Sequence, residues 1–309
     1  MSDIARLTDA DLAGLGLTPG EIADAIETAL VQKSEDRLHT APKAALLPGG
    51  GRYMMSTLAV GDDGLTVVKT VTVSPENPAR GLPSINGAIQ VYDAETGLLK
   101  AVLDANWITA VRTAGLSAVA ARRLADPASK TIAFVGTGVQ AISHLDAFLP
   151  MFPLDRVFGI GRGRRNLDNL AERARNLGLS AEIDATPETA LREADLIVTS
   201  VTLDYTIEPF LDARWLKPSA FAAITDLTIP WRPESLDAFG TIVVDDLEQE
   251  RTAPRPMVAA ERIAGDLTDL VTGRIARGGP DRPAAFAFRG ISLGDYAVTA
   301  LALRRAGLA

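Results

Sequence analysis

Residues 131–135 read Thr-Ile-Ala-Phe-Val and run directly into Gly136-Thr137-Gly138-Val139-Gln140-Ala141, and no other stretch of the chain leaves so few ways to fold. A short apolar run that ends on a glycine turn, with a helix-competent segment behind it, makes a strand, a tight turn and a helix start in direct succession. In that setting the first glycine permits the turn, the second allows close backbone approach, and Ala141 takes the third position, where a small residue packs helix on strand. Amides at the opening of such a helix hold an anion, so Gly136, Thr137, Gly138, Val139 and Gln140 are expected to receive the pyrophosphate of a dinucleotide. A plain glycine turn in an α/β protein shares the same pattern, so the rest of the chain must decide.

Beyond the turn, strands at 156–160, 195–201, 220–224 and 241–244 alternate with helix, including one at about 166–177. Such alternation predicts α/β architecture, a doubly wound parallel sheet with helices on both faces. The chain before the turn is different. Thr18-Pro19-Gly20-Glu21 opens a helix in capping-box form, with Ile22, Ile26 and Leu30 on one face, running to about Lys33. Between 53 and 103, β-branched runs such as 65–73 and 87–92 are divided by Pro-, Asn- and Gly-rich turns, which predicts a mostly antiparallel sheet. A helix at about 107–125 leads to the glycine-turn strand. The last helix, from about Asp295, has no strand after it and is expected to return to the first domain. The expected division is a Rossmann domain over 126–288 and an α+β domain built from 1–125 with 289–309.

Composition narrows the function. The 309 residues carry a net charge of −8, with no broad positive field for nucleic acid or an anionic membrane, so a small-molecule ligand held by a few placed cations is expected. The absence of cysteine removes thiolate chemistry, and two histidines, His39 and His144, make a metal site unexpected. The opening residues have no apolar signal core, and no segment reaches the roughly 20 apolar residues of a span, so a soluble cytoplasmic protein is expected. After the second strand of the Rossmann pattern comes Gly161-Arg162-Gly163-Arg164-Arg165. An acid that would accept from a ribose 2′-hydroxyl is missing there, and Arg162 suits a 2′-phosphate, which leans toward NADP. Arg162 stacked on adenine, in a solvated basic turn, is the alternative, so NAD and NADP both stay open.

Asn106-Trp-Ile-Thr-Ala-Val-Arg112-Thr113-Ala-Gly-Leu-Ser117, followed closely by the glycine turn, resembles the ornithine cyclodeaminase and mu-crystallin family. The likeness continues in order through Ala41-Pro42-Lys43, Met54-Met55, Val68-Lys69, Asn77-Pro78-Ala79-Arg80-Gly81-Leu82-Pro83, Leu216-Lys217-Pro218, Trp231-Arg232 and Phe288-Arg289-Gly290. The resemblance implies a substrate and dimerisation domain made from both chain ends, a Rossmann domain enclosed by it, a homodimer, and NAD(P)H as cofactor.

Residue by residue, the resemblance places Lys69 in the substrate pocket as proton donor or relay, and Arg112 on the substrate carboxylate close to the nicotinamide. Lys43, Arg52 and Ser292 are further substrate-binding candidates. Ser84, Thr113, Thr202 and Leu227 are expected at the cofactor. Cyclodeaminases carry a catalytic aspartate after the strand at 220–224; an ungapped alignment puts Leu227 at that position and Asp226 one residue earlier, so Asp226 is the catalytic candidate only if the loop shifts by one. That departure favours simple imine reduction over the lyase reaction. The expected activity is NAD(P)H-dependent reduction of a small 2-imino acid. Because Lys43, Arg52, Lys69, Arg80 and Arg112 are expected to face one cleft, iminosuccinate is the expected substrate. Alanine dehydrogenase, cyclic ketimine reductase, cyclodeaminase and a non-enzymatic binding protein are the alternatives.

Overall fold

The computed structural model describes residues 4–308 except the side chain of Pro78; residues 1–3 and 309, the ends of the expected domains, lie outside the described residues, as does that side chain within the family-like 77–83 block. The chain begins with β1 (Ala5–Leu7), α1 (Asp9–Gly14), α2 (Pro19–Ser34), β2 (Leu38–Thr40), β3 (Ala44–Gly49), β4 (Arg52–Gly61), β5 (Leu65–Val73), β6 (Ile85–Asp93), β7 (Leu99–Asp104) and α3 (Asn106–Leu124). It continues through β8 (Thr131–Val135), α4 (Val139–Phe148), β9 (Arg156–Ile160), α5 (Arg164–Asn176), β10 (Ser180–Glu182), α6 (Pro187–Glu193), β11 (Leu196–Thr199) and β12 (Phe221–Ile224). It ends with β13 (Thr241–Val244), α7 (Leu247–Thr252), β14 (Ile263–Asp266), α8 (Leu267–Val271), β15 (Ala284–Ala287) and α9 (Ser292–Arg305).

Two units emerge: the chain up to Gly115 together with everything from Ile291, and Leu116–Gly290. The sequence puts the first division at 125/126, whereas the structure divides inside α3. The first half of that helix packs on α2 so closely that a Cβ at Gly115 would lie 2.6 Å from Ile26 and 2.9 Å from Ile22.

In the first unit, β1-β7-β6-β5-β4-β2 form one sheet with β3 added on β4. Every pairing is antiparallel except β1 on β7. Side chains alternate across such a sheet, so Thr57, Ala59, Val67, Lys69, Val71, Ile89 and Val91 share its buried face. Thr18 and Glu21 form the expected capping box at the start of α2. Helix α9 packs on α2, β4 and β5, and its residues from Ser292 to Ala300 are all buried.

The second unit is an all-parallel eight-stranded sheet in the order β10-β9-β8-β11-β12-β15-β13-β14. The chain winds outward from β8 in both directions, to β9 on one side and β11 on the other, so the glycine turn sits at the topological switch point where α/β sheets bind ligands. The α/β expectation holds. Three strands escape the sequence reading, and β15 is the instructive one: its Ala-Ala-Phe-Ala run, with no β-branched residue, is the last strand in sequence yet lies between β12 and β13. Among the described residues no helix is long and apolar enough to cross a membrane, and no group of three or more acidic or histidine residues could hold a metal.

Candidate active site

At the glycine turn each small residue has a local cause. Gly136 has φ +94°, and a Cβ there would lie 2.4 Å from the Ser200 carbonyl oxygen; only glycine fits both the conformation and the space. Gly138 caps the start of α4 with no side chain bonded to the free amides, and a Cβ on it would meet nothing within 4 Å. The Thr137 hydroxyl occupies the space in which a Cβ on Gly161 would approach to 2.8 Å, so the end of β9 is also kept small. Val139 is 69% exposed at the helix start, and the buried Oε1 of Gln140 has no hydrogen-bond partner. Uncapped amides, open space and an unsatisfied acceptor fit a bound pyrophosphate and sugar.

Arg162 and Thr202 are exposed. Acids stand beside the basic turn: Arg164 pairs with Asp168 at 3.0 Å and with Asp184 at 3.5 Å. The Asp204 carboxyl is held low chiefly by the Thr206 hydroxyl and amide, with Arg162 adding a smaller electrostatic pull.

Asp226 is fully buried. Its two oxygens accept from the Thr199 hydroxyl at 2.9 Å and the Val201 amide at 3.1 Å. Burial pushes its carboxyl up to about 7, and those two hydrogen bonds oppose the rise. The residue therefore ties the chain leaving β11 to the chain leaving β12. Directly after it, Leu227 and Thr228 have φ of 58° and 60°, two successive non-glycine residues in the left-handed region, a strained arrangement that surrounding structure must impose. The loop turns Asp226 inward among these groups.

In the first unit four elements converge. Lys69 on β5 is wholly buried; its Nζ donates to Asp295 Oδ1 at 2.7 Å and to the Thr109 hydroxyl on α3 at 3.4 Å. Arg112, one turn beyond Thr109, brings Nε to 3.0 Å of that same Asp295 oxygen. The other oxygen of Asp295 accepts from Thr57 on β4 at 3.3 Å. Burial lowers the Lys69 amine to about 8; Arg112 and, more weakly, Lys43 push it the same way, while Asp295 raises it. Ser292, three residues before Asp295 on α9, has a buried hydroxyl with no hydrogen-bond partner.

The remaining candidates go elsewhere. Arg52 is exposed and bonds the Gly49 and Pro48 carbonyls of its own hairpin. Arg80 is exposed and pairs with Glu76 at 3.2 Å. Of the expected five-cation cleft, Lys69 and Arg112 meet at Asp295 and Lys43 acts electrostatically on Lys69, while hairpin carbonyls and a local glutamate engage Arg52 and Arg80. Thr113 is buried and bonds the Thr109 carbonyl within its helix. Ser84 is half-buried just before β6, and its carbonyl accepts from the Ser74 amide at 2.8 Å.

Sequence reasoning missed Asp295, Thr57 and Thr109 as site residues. The one available signal is an acid inside the apolar run Ile291-Ser-Leu-Gly-Asp-Tyr-Ala-Val298, but an aspartate in the first turn of a helix is ordinarily read as complementing the helix dipole. As chemistry, the cluster can grip a carboxylate with a guanidinium and hand over a proton from an ammonium of near-neutral acidity.

Residues 8–305 match the model of the Ornithine cyclodeaminase/mu-crystallin family. The chain is 30% identical over 224 residues to ketimine reductase mu-crystallin of Rattus norvegicus, covering 71% of this chain and 69% of that protein. It is also 30% identical over 247 residues to Delta(1)-pyrroline-2-carboxylate reductase 2 of Burkholderia ambifaria, covering 78% of each. Among solved structures, Thermococcus litoralis Delta(1)-pyrroline-2-carboxylate reductase in complex with NADH and L-proline superposes with a TM-score of 0.88 at 21% identity, covering 98% of this chain and 97% of that one.

Proposed function

This chain belongs to the ornithine cyclodeaminase/mu-crystallin family, and on that premise we propose that it reduces the C=N bond of small 2-imino carboxylates to the amine with a nicotinamide cofactor. The observation that carries the reading is the buried Lys69, Arg112 and Asp295 cluster. A 2-imino acid presents a carboxylate and a basic nitrogen on adjacent carbons, and reduction needs a grip on the first and a proton for the second.

Arg112 grips the carboxylate. The Lys69 ammonium gives its proton to the imine nitrogen, which makes C2 electron-poor. When bound, the cofactor supplies the hydride that C2 receives; Gly136, Thr137, Gly138, Val139 and Gln140 hold its pyrophosphate, and Arg162 and Thr202 flank its adenosine and ribose. The relatives named as reductases of ketimine and pyrroline-2-carboxylate support this reading. The inward-turned Asp226 favours it over a lyase, because a cyclodeaminase needs an acid that reaches the substrate amine.

The finer proposal is iminosuccinate as substrate, giving aspartate. Lys43, which acts electrostatically on the buried Lys69, is the residue we assign to the second carboxylate. A cyclic ketimine of pyrroline-2-carboxylate type is the second reading, favoured by the relatives. A panel of oxaloacetate with ammonia, pyruvate with ammonia and preformed cyclic ketimines, each assayed with NADH and NADPH, separates the two. Higher kcat/KM for oxaloacetate with ammonia is expected, and a faster cyclic ketimine overturns the finer proposal while leaving the reaction class.

A homodimer is proposed as well. Leu46 at 70% exposed, Met54 at 45% and Leu58 at 40% line the outward side of β3 and β4, an apolar face that a second copy would cover. Light scattering tests it: a monomer mass at micromolar concentration overturns it. The cytoplasm is the proposed compartment.

A further inference from the structure

Asp295 is an acid that burial should disfavour. It sits 1% exposed in α9 among Leu293, Tyr296, Ala297 and Val298, where an unpaired carboxylate would be expensive. Both basic groups of the site come to one of its oxygens, at 2.7 Å from Lys69 and 3.0 Å from Arg112, and Thr57 bonds the other. The charged groups paired with it are Lys69 from β5 and Arg112 from α3; Lys43, before β3, acts electrostatically on Lys69. Thr57 and Thr109 contribute only hydroxyls.

That pairing has a chemical consequence. A wholly buried lysine beside a guanidinium and a second lysine loses its proton readily, and a neutral amine donates none to an imine. The Arg112 guanidinium also lies in an ion pair with Asp295 Oδ1, Nε at 3.0 Å, and the attraction draws it toward α9, where its orientation bears on a two-point grip on a carboxylate.

We propose that Asp295 is a positioning residue for the reduction: it keeps Lys69 protonated and orients Arg112, so that one turn of α9 sets both proton donation and the carboxylate grip. This rests on the roles assigned above to Lys69 and Arg112. It adds a function for a residue whose oxygens are taken up by Lys69, Arg112 and Thr57.

A purely structural carboxylate would lower activity equally at every pH, whereas a residue that holds a proton on Lys69 moves the alkaline limb of the rate profile. The full chain is compared as wild type, Asp295→Asn, Asp295→Glu and Lys69→Met, with kcat/KM measured from about pH 6 to about pH 9.5 and NADH affinity by fluorescence. In the wild type the rate should fall as pH rises through about 8, the value to which burial lowers the Lys69 amine. Removing the negative charge lowers the lysine's affinity for its proton, so Asp295→Asn moves that midpoint down by about one pH unit or more, with NADH affinity within about twofold of wild type. Asp295→Glu keeps the charge and restores the wild-type midpoint at least in part.

A uniform loss with an unmoved midpoint overturns the proposal. If Asp295→Asn does not fold, Asp295→Ser at the same position carries the test: a midpoint displaced downward supports the proposal, and lost rate at an unmoved midpoint overturns it. Near-normal turnover by Lys69→Met sinks the underlying reading of Lys69 instead, whereas an inactive Lys69→Met beside an unshifted Asp295→Asn sinks only the role of Asp295.

Discussion

The glycine turn of the second unit and the cation cluster of the first are built by opposite means. The turn takes six consecutive residues, 136–141, and its chemistry is backbone chemistry: a positive φ, a missing Cβ and the amides that open α4. The cluster is assembled from side chains on β4, β5, α3 and α9. Lys69 and Asp295 stand 226 residues apart in sequence, and Thr57 and Asp295 are 238 apart. A backbone site is therefore robust to most side-chain changes around it and intolerant of a single added methyl group. A side-chain site has the reverse sensitivity: its geometry survives only while each contributing element keeps its register, and it is lost by changing any one charged side chain even where the backbone is untouched.

The largest expected effect tests the backbone site. In Gly136→Ala the new methyl meets the Ser200 carbonyl at 2.4 Å in a conformation that alanine avoids, so NADH binding should be lost, with stability lowered by about 2 kcal/mol or more. Fluorescence titration and thermal melts check this, and a folded Gly136→Ala that binds NADH normally would break the contrast.

Next comes the side-chain site. Lys69→Met, which keeps most of the buried volume, should lower kcat by about 10²-fold or more while NADH binding stays as in the wild type. Loss of both together would mean that the two sites are not separable in the way the geometry implies.

Asp226→Asn probes the strained loop through pH. The folded carboxyl titrates near 7 against an ordinary value of 3.8, so the folded protein binds that proton more tightly than the unfolded chain. Stability from this group is greatest below about pH 4 and declines as pH rises to about 7. The asparagine lacks that decline and should gain on the order of 2 kcal/mol relative to wild type between about pH 5 and about pH 8. Denaturant melts at both pH values check it, and a difference independent of pH would mean that the carboxyl titrates normally.

The smallest effect concerns the basic turn. Arg162→Asp should move preference toward NADH by about tenfold, since it removes a cation suited to a 2′-phosphate and adds an acceptor suited to a ribose hydroxyl. Equal changes in the KM for NADH and NADPH would leave Arg162 as an adenine platform or a solvated charge.

The same contrast explains what could be read from the sequence. The strand, glycine turn and helix at 131–148, the capped α2 and the antiparallel sheet are local patterns whose causes lie within a few residues. Strand β15 was hidden because a buried parallel strand needs no alternation, and Ala-Ala-Phe-Ala has no propensity of its own. Family likeness singles out Lys69 and Arg112, and the fold brings the two to one buried acid. Asp295 was not legible, because a helix-start aspartate looks the same whether it faces water or two buried cations. Arg52 was overcounted for the matching reason: nothing in the chain announced that the carbonyls of Pro48 and Gly49 would take its guanidinium.

An imine reductase consumes one nicotinamide cofactor for every amine it forms, whereas a cyclodeaminase returns its cofactor unchanged. The most direct test mixes the enzyme with a stoichiometric amount of NADH and an excess of 2-imino acid, formed from 2-oxo acid and ammonia or supplied as a cyclic ketimine, and follows nicotinamide absorbance and amino acid product together. One NADH oxidised for each amino acid formed is the predicted result. Turnover of a diamino acid to a cyclic product with no net change in NADH, or no product from any imine with cofactor bound, would contradict it.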